Sequence, residues 1–145
     1  MCDQVARENL VGQATFLQLC PLSTEEDLIG ARAASKMHAS DLSFSIINQT
    51  KIVTAASELG RNVLEHGLGG TLRIERVNHL DQLGLRMIFE DHGPGIADMD
   101  LALTDGYTSK NGLGLGLTGS KRLMDEFEIE SAVGIGTTVI VTKWK

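Results

Sequence analysis

Seven of the chain's sixteen glycines fall between Gly93 and Gly119, and proline occurs only at Pro21 and Pro94. A glycine excess confined to one stretch is not the composition of a flexible linker. It marks a backbone shaped around something, because glycine enters tight turns and close approaches that other residues resist. The remainder of the 145 residues must supply the scaffold that holds this stretch. That length suits one domain, so residues 1–145 are expected to fold as a single unit with a core that needs no disulfide or metal.

Composition narrows the classes. Hydrophobic residues are 42% and charged residues 22%, ordinary values for a soluble globular protein. The net charge is −6, and the basic residues are scattered, with Lys121-Arg122 the nearest thing to a cluster. No basic face for nucleic acid is expected. No apolar run approaches the roughly 20 residues of a spanning helix, and the first residues carry no signal-peptide pattern. No membrane partner is expected. Cys2 and Cys20 have no metal-ligand spacing, which fits a reducing cytoplasm.

The period of the apolar residues changes along the chain. Thr15–Cys20 reads as a strand ended by Pro21. Ser23, with Glu26 three residues on, reads as a capping box opening a helix to about His38. Asp41-Leu42-Ser43 starts a longer helix, in which Ile52, Ala56, Leu59 and Val63 form the apolar stripe. Gly67, Gly69 and Gly70 end it. Leu72 and Ile74, then Leu83, Leu85, Met87 and Phe89, alternate with polar or small residues as in two half-buried strands. Leu115–Phe127 reads as a third helix. Ile129–Val133 and Thr137–Trp144 read as a hairpin around Gly134-Ile135-Gly136. The predicted class is α+β: a two-layer sandwich of a mixed, mainly antiparallel sheet with helices on one face.

Three places carry candidate chemistry. Glu58 and Asn62 are four apart and share a helix face roughly a third of a turn from the apolar stripe, and His66 continues that face. An amide oxygen suits Mg²⁺, and a carboxylate beside it can orient or deprotonate a hydroxyl. The bland alternative is a solvated helix edge. Asp91-His92-Gly93-Pro94-Gly95 follows a strand directly, so the Asp91 carboxylate can point into a cleft and accept from an exocyclic amine such as adenine's. The alternative is a simple strand-ending turn. Gly112-Leu113-Gly114-Leu115-Gly116-Leu117 precedes a helix, where backbone N–H groups favour phosphate oxygens. A dinucleotide fold is excluded because a polar stretch, not a strand, precedes these glycines. The P-loop pattern is missing as well, and so are the H-R-D and D-F-G motifs of protein kinases. His38, His79 and His92 are isolated and read as surface or turn residues. Cys20 and Trp144 read as packing.

In order, Glu58-Leu59-x-x-Asn62-x-x-x-His66-Gly67, Asp91-x-Gly93-x-Gly95, Gly112-Leu113-Gly114-x-Gly116-Leu117 and Gly136-Thr137-Thr138 resemble the motifs of the GHKL ATPase superfamily. Asp105-Gly106-Tyr107-Thr108, Gly119-Ser120-Lys121-Arg122 and the terminal Lys143-Trp144 are similar to RsbT-type serine-protein kinases of partner-switching modules. His66-Gly67 departs from that type toward the anti-sigma factors, so the subfamily stays open. The resemblance implies the Bergerat fold, ATP and Mg²⁺. It implies Glu58 as base or water-positioner and Asn62 as Mg²⁺ ligand. Asp91 would bind adenine, with Gly93 and Gly95 shaping that wall and Thr137 supporting it, often through water. Gly112, Gly114, Gly116 and Leu117 would surround the phosphates. Residues 96–111 would form a short lid, with Lys110 near the γ-phosphate.

The function this implies is an ATP-dependent serine/threonine kinase acting on a STAS-domain antagonist. A PP2C-type phosphatase or a sigma factor would be a further partner. The competing reading is an anti-sigma factor released through a STAS-domain protein. A sensor histidine kinase fits less well, because no dimerisation segment with a phosphoacceptor histidine is present. A pseudo-kinase is disfavoured by the presence of both Glu58 and Asn62.

Overall fold

The computed structural model describes residues 13–98, 103 and 117–145. Five strands and three helices alternate along them: β1 (Gln13–Leu22), α1 (Glu25–Asp41), α2 (Ile46–Glu65), β2 (Gly70–His79), β3 (Gln82–Asp91), α3 (Leu117–Leu123), β4 (Glu126–Ala132) and β5 (Gly136–Trp144). The sheet has the order β1-β2-β3-β5-β4. All four pairings are antiparallel among the described residues, where the sequence suggests a mixed, mainly antiparallel sheet.

Several local expectations shift. Pro21 does not end β1, which continues to Leu22 and places Pro21 opposite Thr71. β1 lies at the edge of the sheet formed by the described residues, where proline is tolerated because alternate backbone N–H groups point away from the neighbouring strand. The first helix is capped one residue later than the sequence suggests. The Thr24 hydroxyl accepts from the Asp27 N–H at 3.1 Å, and the Asp27 carboxylate accepts from the Thr24 N–H at 3.1 Å. That carboxylate also takes the Ser23 N–H at 2.9 Å, which is why Asp27 completes the box in place of Glu26. Asp41 ends α1, and Ser45 caps α2 by accepting from the Asn48 N–H at 3.1 Å. The predicted third helix is cut at Leu123, because the Leu123 carbonyl accepts from the Lys143 ammonium at 3.1 Å. Phe127 then lies on β4 opposite Val141, where it packs, partly buried, against the core.

The core lies between the helices and one face of the sheet. Leu28 and Ala31 of α1 and Ile52, Ala56, Leu59 and Val63 of α2 pack with Leu72, Ile74, Leu85, Met87, Phe89, Val139 and Val141. Each large side chain buried in this way contributes roughly 1.5–3 kcal/mol. Val139 and Val141 carry the core on β5, whereas β4 turns Glu126, Glu128 and Glu130 to the opposite face as an edge strand.

Candidate functional site

The C-terminal end of β3 is where the chain's polar and glycine-rich segments meet. Asp91 closes the strand and stands opposite Gly70 on β2 and Thr137 on β5. Its Oδ1 accepts two backbone N–H groups, from Gly93 at 2.9 Å and from Thr137 at 3.2 Å. Its Oδ2 has no hydrogen-bond partner among the described residues. The carboxylate is therefore held by one oxygen and presents the other.

Two glycines make room for it. A Cβ on Gly67 would fall 2.4 Å from the Asp91 Cγ, and one on Gly93 would fall 2.7 Å from the Gly67 Cα. The end of α2 and the loop after β3 thus cross in backbone contact beside the carboxylate. The end of α2 is fixed in turn: the Asn62 carbonyl accepts from the N–H groups of His66 at 2.9 Å and Gly67 at 3.0 Å. Gly95 has φ +77°, a conformation that favours glycine, and a Cβ there would meet the Ala132 carbonyl oxygen at 2.4 Å. The Pro94 carbonyl accepts the Gly134 N–H at 2.9 Å, tying this loop to the β4–β5 turn.

These elements enclose a small cleft of about 40 Å³. One wall is α2, through Leu59, Asn62, Val63 and His66, and the floor is Phe89 and Val139. Asp91 and Thr137 form the polar end, and Gly95, Ile96 and Leu117 close the remaining side. The cleft is lined mainly by apolar side chains, with a carboxylate and a hydroxyl at one end.

Of the residues singled out in the sequence, Asn62, Asp91, Gly95, Leu117 and Thr137 line this one cleft. Gly93 lies beside it, on an open basin shared with Leu68, His92 and Pro94. Glu58 is exposed, one helical turn before Asn62, and is not among the lining residues. Lys110, Gly112, Gly114 and Gly116 lie outside the described residues, as does most of the 96–111 segment. The sequence reading misses the apolar walls. Leu59 and Val63 read as core stripe, and Phe89 and Val139 as ordinary strand residues. Leu59 and Val63 belong to the core and line the cleft at once, so the stripe alone does not separate the two roles. Ser131 was also missed. Its hydroxyl accepts from the Ile96 N–H at 2.7 Å and lies 2.8 Å from the Thr137 hydroxyl and 3.2 Å from the Gly136 carbonyl oxygen. No spacing rule singles it out.

Residues 47–145 match the family described as histidine kinase-, DNA gyrase B- and HSP90-like ATPases. The chain belongs to this family. The matched range takes in nearly all of α2 and everything that surrounds the cleft. Among curated relatives of this ATPase family, the chain is 42% identical to the serine/threonine-protein kinase RsbT of Bacillus subtilis, over 85% of this chain and 92% of that one. It is 33% identical to an anti-sigma F factor of Clostridium novyi, over 84% of this chain and 89% of that protein. A crystal structure of RsbU and RsbW domains from Mycobacterium tuberculosis superposes with a TM-score of 0.60 at 19% identity, covering 92% of this chain and 33% of that one. That likeness is one of fold. Among the described residues, no helix is long and apolar enough to cross a membrane.

Proposed function

We propose that the chain, acting as one domain in the cytoplasm, binds ATP in this cleft and phosphorylates a serine or threonine of a STAS-domain antagonist in a partner-switching module. The observation that carries the reading is the 42% identity to a serine/threonine-protein kinase along almost the whole length of both chains. The cleft supports it. A free carboxylate oxygen at the end of an apolar slot suits a purine ring that carries an amine, and the Phe89, Val139 and Leu59 walls suit its faces.

In this reading Asp91 accepts from the adenine amine, Thr137 supports that edge, and Gly93 and Gly95 hold the loop that frames it. Asn62 is the Mg²⁺ ligand. Gly112, Gly114 and Gly116 cradle phosphates, with Leu117 beneath them and Lys110 toward the γ-phosphate. When bound, Mg-ATP supplies the transferable phosphoryl group, and Mg²⁺ neutralises the charge that develops on it. Glu58 sits on the exposed side of α2, one turn from Asn62. There it takes or orients the proton of an incoming hydroxyl, and its exposure suits a group that must meet a protein substrate.

A second reading is an anti-sigma factor, favoured by the 33% identity to the Clostridium novyi protein. In that case a sigma factor is the principal partner, and phosphorylation of the STAS-domain protein by this chain, or its reversal by a PP2C-type phosphatase, controls release. Transfer of labelled phosphate from ATP to a STAS-domain protein encoded beside this chain tests the first reading. Glu58→Ala is expected to slow transfer by about 10²–10⁴ while ADP affinity stays within a few-fold. Asn62→Ala is expected to weaken Mg²⁺-dependent nucleotide binding itself. Transfer by Glu58→Ala at the parent rate would remove Glu58 from this role. Recovery of a sigma factor and no STAS-domain protein, in a pull-down with ADP present, would favour the second reading.

A further inference from the structure

We infer that Ser131 is a specificity-determining positioning residue: it turns the Thr137 hydroxyl into a pure acceptor toward the cleft and so makes the site select a 6-amino purine. The inference rests on the nucleotide reading above and extends it to a residue outside every motif.

A serine hydroxyl has one proton and two acceptor lone pairs. At Ser131, three neighbours compete for them. The Ile96 N–H can only donate, and it does so to Ser131 Oγ at 2.7 Å. The Gly136 carbonyl oxygen can only accept, so the contact at 3.2 Å uses the Ser131 proton. The Thr137 hydroxyl, 2.8 Å away, then donates into the second lone pair of Ser131. This is the arrangement that satisfies all three contacts at once. It leaves Thr137 Oγ1 with lone pairs and no proton for the cleft.

Thr137 and Asp91 both line the polar end of the slot. With Asp91 Oδ1 committed to two backbone N–H groups, Asp91 Oδ2 and Thr137 Oγ1 form a pair of acceptors. An exocyclic amine has two N–H donors to offer such a pair. A carbonyl at the same ring position offers only lone pairs and is repelled. Without the Ser131 hydroxyl, the Thr137 proton is free to rotate into the cleft, and the site then tolerates a carbonyl. The same hydroxyl anchors Ile96, the first residue of the 96–111 segment, to the wall that reads the base.

The test is calorimetric titration of ADP and GDP into the parent chain, Ser131→Ala and Ser131→Thr. The parent is expected to prefer ADP. Ser131→Ala is expected to lower the ADP:GDP affinity ratio by about 3- to 10-fold, the effect of one neutral hydrogen bond. Ser131→Thr keeps the hydroxyl and is expected to keep the ratio. An alanine variant whose ratio equals the parent's, even if both affinities fall together, overturns the inference and leaves Ser131 a structural residue. A parent that binds ADP and GDP alike overturns the inference while leaving the cleft a nucleotide site, and a parent that binds neither sinks the nucleotide reading itself. Should Ser131→Ala fail to fold, Ser131→Cys carries the same comparison, because a thiol is a weak acceptor.

Discussion

Asp91 shows how one side chain divides its work. Oδ1 takes the N–H groups of Gly93 and Thr137, so the loop after β3 and the start of β5 are both organised by it. In Asp91→Asn, the amide oxygen must keep the Oδ1 place to satisfy those donors. The amide nitrogen then faces the cleft and meets an adenine amine donor to donor. A hydrogen bond to a charged group contributes roughly 1.5–3 kcal/mol, so ADP affinity is expected to fall about 10- to 100-fold by calorimetry, with little change in thermal midpoint. Cys20 offers a second residue-level expectation. It is 5% exposed, and burial raises its thiol above the ordinary range. The unfolded chain therefore ionises this thiol first as pH rises. The stability it contributes is fully present below the ordinary thiol range and is lost as pH climbs toward the raised value. Urea midpoints at about pH 8 and pH 10 are expected to drop further for the parent than for Cys20→Ala. Equal drops would show that the burial of Cys20 has no part in the alkaline limit.

The helices and strands follow local rules, and the departures have local causes. The α2 stripe at Ile52, Ala56, Leu59 and Val63 is legible in the sequence because side chains three and four apart share a helix face. The end of α3 is not legible, because it depends on a strand that comes later. Lys143 of β5 donates to the Leu123 carbonyl at 3.1 Å and to Asp125 Oδ1 at 3.3 Å, while Asp125 Oδ2 takes the Trp144 N–H at 2.7 Å. This clasp fixes α3, and hence Leu117, against the cleft. Lys143→Met keeps the length and apolar stem of the side chain but leaves the helix-end carbonyl without its donor. A loss of about 1–2 kcal/mol is expected from the denaturant midpoint, together with a several-fold weaker nucleotide affinity. Lost stability with unchanged affinity would separate the clasp from the site.

At the scale of the whole molecule, helices and sheet press one apolar face of each against the other, and the cleft opens where α2 runs past the end of β3. A ligand that binds only the folded chain stabilises it by mass action. At a hundred times its Kd, a nucleotide adds about 2.7 kcal/mol. For a chain of 145 residues, that corresponds to a rise in Tm of roughly 5–10 °C. Differential scanning calorimetry is expected to show this rise with Mg-ADP, a smaller one with GDP, and a reduced one when Mg²⁺ is chelated. No rise with ADP at millimolar concentration would count against the cleft as a nucleotide site. The strand order was not legible at this scale. Glu126, Glu128 and Glu130 alternate on β4 at the edge of the described sheet, where charges discourage pairing with another chain, but the sequence places Glu126 in the third helix. The insertion of β5 between β3 and β4 carries no local mark.

The sequence by itself determined what depends on near neighbours: the helix stripes, the strand alternation, the two closing glycine turns, and the order of motifs that assigns the family. Side chains two, three or four residues apart share a face in any strand or helix, so their pattern survives in one dimension. Tertiary structure alone decided the contacts that make the site. Asp91 meets Thr137 across 46 residues, Ile96 meets Ser131 across 35, and Gly67 comes against Gly93 where two loops cross. Those meetings are set by which strands pair and in what register, and that is a property of the packed sheet as a whole, fixed only when every buried face has found its partner.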